Sequence, residues 1–102
     1  MAQSVLEGLC AARTEITGVA FLEPGGLALG SAGPRAHEAR QAGVEALGVL
    51  NPNHRMTVEA EHGWVHAERL VGGELLLILT DEAPNLGGLL VEVQRCCGLL
   101  SR

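Results

Sequence analysis

The chain has 102 residues, a formal net charge of -5, 47% hydrophobic and 19% charged residues, and only two aromatics, Phe21 and Trp64. That length suits a single domain, residues 1–102, and the composition is that of a globular protein with an aliphatic core. The negative charge opposes binding to a phosphate backbone, and so few rings leave almost no stacking platform for single-stranded nucleic acid.

In chain order, Ser4 and Glu7 form an S-x-x-E pattern ahead of an apolar run, which predicts a helix opened by a capping box. Val5, Leu6, Leu9, Ala12 and Ile16 share one face at helical spacing, and Gly18 is the expected stop. Residues 19–22 and 27–30 are short apolar runs separated by Glu23, Pro24, Gly25 and Gly26. This pattern predicts a hairpin whose glycines supply the left-handed backbone of the turn. Gly33 and Pro34 then launch a second helix, expected to reach Leu50 before Asn51, Pro52 and Asn53 stop it. On its wheel Ala36, Ala39, Gly43, Ala46, Leu47 and Leu50 face inward, while Glu38, Gln41 and Glu45 face out. His37, Arg40 and Val44 form a strip along its flank.

From Arg55 the period changes. Met56, Val58 and Ala60 alternate with Thr57, Glu59 and Glu61, the signature of a half-buried strand. Turns at His62 with Gly63 and at Gly72 with Gly73 separate it from "WVHAERLV" and "ELLLILT". These three runs predict an antiparallel meander, its last strand apolar on both faces and hence central in the sheet. Asn85 is the expected cap of a final helix whose apolar face carries Leu86, Leu89, Leu90, Val93, Cys97 and Leu100.

Catalytic patterns are weak throughout. All seven basic residues are arginine, and without lysine the glycine-rich stretch at residues 21–34 is no P-loop; its glycines are joints. His54, His62 and His66 could meet near one hairpin, but no metal-ligand motif accompanies them, so they read as surface or edge-strand histidines and no metal or other cofactor is expected. Cys96 and Cys97 are adjacent, without redox spacing, and sit toward an apolar helix face as small hydrophobes. None of Ser4, Ser31 and Ser101 lies in a nucleophile elbow, and Asp81 with Glu82 reads as a helix entrance rather than a catalytic dyad. The chain is therefore read as not an enzyme. Three cysteines, no apolar run of about 18 residues and no basic leader point to a cytoplasmic protein.

Three stretches, "GVAFLEPGGLALGSAG", "GGELLLILT" and "APNLGGLLVEVQRC", resemble the roadblock domain family, which includes roadblock-type dynein light chains and bacterial gliding-motility GTPase regulators. The resemblance covers nearly the whole chain. It implies an α+β sandwich of order α-β-β-α-β-β-β-α: a five-stranded antiparallel sheet with helices on both faces, the first and last on one and the second on the other. It also implies a homodimer in which the third strands, residues 55–61, pair edge to edge and the second helices, residues 34–50, lie together. On that reading the dimer interface holds Ala39, Gly43, Met56, Val58 and Ala60. The implied partner is a small Ras-like GTPase, scaffolded or regulated, and His37, Arg40 and Val44 are the candidate contacts chosen from the helical wheel. The rival reading is a small-molecule-binding sensor domain, against which the apolar inner faces argue.

Overall fold

The computed structural model describes residues 2–61, 63–81 and 86–101, with Leu86 described at the backbone alone. The expected sites at His62, Glu82 and Asn85 lie outside the described residues. The elements are α1 (Ala2–Ala12), β1 (Ile16–Leu22), β2 (Ala28–Ala32), α2 (Ala36–Leu47), β3 (Arg55–Ala60), β4 (Gly63–Arg69), β5 (Leu75–Thr80) and α3 (Leu86–Leu100). The strands form one antiparallel sheet in the order β2-β1-β5-β4-β3; five antiparallel strands and three helices in the order α-β-β-α-β-β-β-α are as expected.

Alternation along the strands divides the core in two. Val19, Phe21, Leu76 and Ile78 point to the face covered by α1 and α3, where Leu6, Leu9, Leu89, Val93 and Cys96 meet them. Ala20, Leu22, Leu75, Leu77 and Leu79 point the other way, to Ala39, Ala46 and Leu50 of α2 and the residues after it. Every residue of β5 is buried, which explains the unbroken Leu and Ile run: a strand roofed on both sides has no solvent face to keep polar. Full burial of each such side chain stabilises the fold by about 1.5–3 kcal/mol before ordering entropy is subtracted.

Two boundaries differ from expectation. The first helix ends at Ala12 rather than near Gly18, because Arg13 and Glu15 turn the chain and are tied to each other at 2.6 Å. The β-branched pair Ile16 and Thr17 then opens a strand. Gly18 is consequently a strand residue, not a cap. A Cβ there would lie 2.6 Å from the Arg35 carbonyl oxygen, so glycine allows the start of α2 to approach β1. Ser4, expected as the cap, sits inside the helix that begins at Ala2.

The second helix is also shorter, closing at Leu47 through a turn in which the Gly48 and Val49 N–H groups bond to Glu45 and Ala46. Leu50 remains in the core. The glycine joints act as expected at two places. Gly26, at φ +99°, turns the first hairpin, while Gly33, at φ +90°, lies so close to β1 that a Cβ would be 2.6 Å from the Thr17 carbonyl oxygen.

Candidate functional site

A five-stranded open sheet has two edges, and here they are treated differently. At the β2 edge the Gln3 side chain acts as a substitute strand. Its Nε2 donates to the Ser31 carbonyl at 2.6 Å and its Oε1 accepts from the Ser31 N–H at 3.0 Å. Gly30 makes room for this, since a Cβ there would meet Gln3 Oε1 at 3.0 Å and Leu6 Cδ1 at 3.1 Å. The β1 and β2 register also shifts beside Leu22, and a bulge of this kind further spoils an edge as a template.

Among the described residues the β3 edge carries no such device. Its six residues pair with β4 in unbroken register from Arg55 with Glu68 to Ala60 with Gly63. Met56 is half-buried against the α2 core, while Val58 is 50% exposed and Ala60 is exposed on the same face. Thr57 and Glu59 are exposed on the other.

The five residues expected at an interface between copies, two on α2 and three on β3, do not stay together. Ala39 is fully buried, and a Cβ on Gly43 would be 2.7 Å from Leu22 Cδ1 and 3.5 Å from Leu75 Cδ2. Both residues face their own sheet, so neither is free to meet a second chain. Their smallness serves the close seating of α2 on β1 and β5 instead. Met56, Val58 and Ala60 remain together on one face of β3.

His37, Arg40 and Val44 do form one exposed strip, joined by an Arg40 hydrogen bond to His37 Nδ1 at 3.3 Å. Val44 is 53% exposed and lies over the first hairpin, its Cγ2 3.9 Å from where a Cβ on Gly26 would be. The strip thus runs along the flank of α2 beside the β1 and β2 hairpin, with Ala42 and Glu45 on the opposite flank of the helix.

A polar cluster lies beneath the other face. His66 and Glu68 of β4 point toward α3, both buried. Thr57 Oγ1 and His66 Nδ1 are 2.7 Å apart. Glu68 accepts from Gln94 Nε2 at 2.6 Å and from the Cys97 thiol at 2.9 Å, with Arg55 at 3.5 Å. Burial by itself would raise the Glu68 carboxyl; the influence of His66 and the Cys97 and Gln94 hydrogen bonds outweigh it and bring it to about 2. His66 Nε2 is 3.7 Å from Glu68 and makes no hydrogen bond among the described residues. Burial, then the neighbouring Glu68 carboxylate, push the Cys97 thiol strongly up, away from a reactive thiolate.

His66 is therefore a buried histidine of an inner strand, not the surface or edge-strand residue its spacing suggested. Among the described residues no three His, Cys, Asp or Glu side chains are placed to hold a metal ion. Beside the cluster is a cavity of about 310 Å³ whose walls include Arg55, Glu68, Gln94 and Cys97. No helix among the described residues is long and apolar enough to cross a membrane.

No protein-family model and no curated protein matches the sequence. Solved structures do match it. A roadblock/LC7 domain from Streptomyces avermitilis superimposes with a TM-score of 0.83 at 15% identity, over 97% of this chain and 93% of that one. MglB from Myxococcus xanthus gives 0.74 at 13% identity, over 97% and 84%. The chain has the roadblock fold. An MglB in a tetrameric arrangement gives 0.72 at 18% identity, over 99% and 85%. Identities this low carry the roadblock fold and not a function.

Two elements of the site were missed in the sequence. Gln3 had no signal, because its partner Ser31 is 28 residues away. Glu68 had a faint one: it shares a strand face with His66, and both fall opposite the positions where α3 carries Gln94 and Cys97.

Proposed function

We propose that this chain is a non-enzymatic homodimeric interaction module that acts in the cytoplasm as a scaffold or regulator of a small Ras-like GTPase. The observation that carries it is the contrast between the two sheet edges. Gln3 closes β2, whereas β3 offers a regular six-residue edge with an apolar shoulder of Met56, Val58 and Ala60. An edge of that kind is a template for another strand, and a second copy supplies one. The exposed strip of His37, Arg40 and Val44 lies on the far flank of α2, where pairing through β3 leaves it open to a partner. The roadblock fold, shared with gliding-motility MglB, supports a GTPase as that partner.

Light scattering on the purified protein should give about twice the 10.6 kDa chain mass, and Val58→Asp should return it to a monomer. A strict monomer at micromolar concentration for the unaltered chain would falsify the dimer. Co-purification from the native host should recover a small GTPase with the wild-type protein.

A small-molecule-binding sensor domain is the second reading, favoured by the cavity of about 310 Å³ beside Glu68. Its polar wall is a feature the sequence reading underrated. Mass spectrometry of small molecules released from the natively purified protein tests it. A stoichiometric compound with no GTPase recovered would put this reading first.

A further inference from the structure

The register in which two β3 strands would pair can be derived from the hydrogen-bond phase of the sheet. The Arg69 N–H donates to the His54 carbonyl at 2.9 Å. In an antiparallel ladder bonded pairs recur at every second residue, so Met56, Val58 and Ala60 direct their main-chain groups at Ala67, Val65 and Gly63 of β4. Trp64 fits the same phase, its N–H turned away from β3 to Thr80 Oγ1 on β5 at 3.0 Å. Arg55, Thr57 and Glu59 therefore turn their N–H and C=O groups outward along the open edge.

A two-fold axis relates residue i of one copy to a residue at a fixed sum of positions in the other. Bonded partners across the axis must come from the outward set, which leaves axes on a residue and excludes axes between residues. We propose that β3 pairs with a second copy of itself about a two-fold axis at Thr57. This inference rests on the dimer reading above. Arg55 of each copy then faces Glu59 of the other, giving two opposite-charge pairs on the face that carries α1 and α3. Met56 faces Val58 twice on the α2 face, where both side chains are already partly exposed.

The neighbouring registers lose this match. An axis at Val58 sets Arg55 against Glu61, which lies beyond the end of β3, and leaves Glu59 against Thr57. An axis at Met56 sets Arg55 against Thr57 and Glu59 against Asn53. Only the axis at Thr57 pairs both charges and both large apolar side chains within the strand, and cross-strand pairs are what fix a register.

Charge reversal and site-specific cross-linking test the register together, read by sedimentation equilibrium and non-reducing electrophoresis with the unaltered chain as control. Arg55→Glu or Glu59→Arg alone puts like charges opposite each other at two symmetric places and should weaken the dimer about tenfold. The doubly reversed chain should recover most of that loss. Thr57→Cys should form an intermolecular disulfide under mild oxidation, since directly opposed strand residues lie within disulfide reach, and Val58→Cys should not. Cross-linking through Val58→Cys instead, or no recovery in the double reversal, overturns the register while the dimer stands. A monomeric control overturns the dimer and the register with it.

Discussion

Glu68 is the residue whose environment asks most of the sequence. It is a carboxylate with an 8% exposed side chain, kept ionised in the interior by the Gln94 and Cys97 donors of α3. A carboxyl held at about 2 when folded, against 4.5 ordinarily, contributes stability that is fully present above pH 4.5 and is lost as pH falls through 2. The size of that contribution is on the order of 3 kcal/mol. Urea titrations at pH 6 and pH 2.5 should therefore show a larger acid loss in the wild type than in Glu68→Gln, which has no charge to neutralise. Equal losses in the two proteins would remove Glu68 as the source. At neutral pH the same substitution should destabilise, because the amide cannot accept from both Gln94 and the Cys97 thiol as the carboxylate does.

At the level of elements, α1 does more than cover the sheet. Its first turn carries Gln3 to the β2 edge, and the two hydrogen bonds to Ser31 occupy the main-chain groups that another strand would use. Gln3→Ala should leave the fold intact, since the side chain is exposed, yet free the second edge. In light scattering it should show species larger than the wild type, growing with concentration. An unchanged mass would assign edge protection to the bulge and the helix body instead. The element types and order were legible in the sequence, because the 3.6-residue and two-residue hydrophobic periods are local signals. What misled was local too: Ser4 with Glu7 matches a cap pattern, and Gly18 matches a stop, but a close approach of Arg35 to β1 uses that glycine for another purpose. Ala39 and Gly43 were expected at an interface from the resemblance, although the helical wheel turned both inward. Smallness on a helix face signals close packing, and only the assembled sheet reveals that the packing is against Leu22 and Leu75. Gln3, Glu68 and the sense of the His37 strip depend on contacts far apart in sequence and could not be read from spacing.

At the scale of the whole molecule, the edge proposed for self-association and the strip proposed for partner binding lie on opposite sides of α2. Val58 lies on the open β3 edge, whereas Val44 lies over the β1 and β2 hairpin, with Arg40 and His37 on the same flank. The two functions should then separate by mutation. Arg40 makes its hydrogen bond to His37 at the surface and has no part in the core, so Arg40→Glu should preserve stability, and on the proposed β3 pairing it should leave the dimer mass unchanged. It should nevertheless abolish capture of the GTPase in co-purification from the native host, reversing a charge at the centre of the strip where a complementary partner would meet it. Val58→Asp should do the converse to the mass, yielding a folded monomer that keeps its hydrophobic core, since Val58 is half in solvent. If Arg40→Glu dissociated the dimer, the strip would lie at the contact between copies, and the flank assignment drawn from Val44 and Gly26 would be wrong. If it changed neither mass nor capture, recognition would belong to another surface, of which the opposite flank of α2, with Glu45, is the next to reverse.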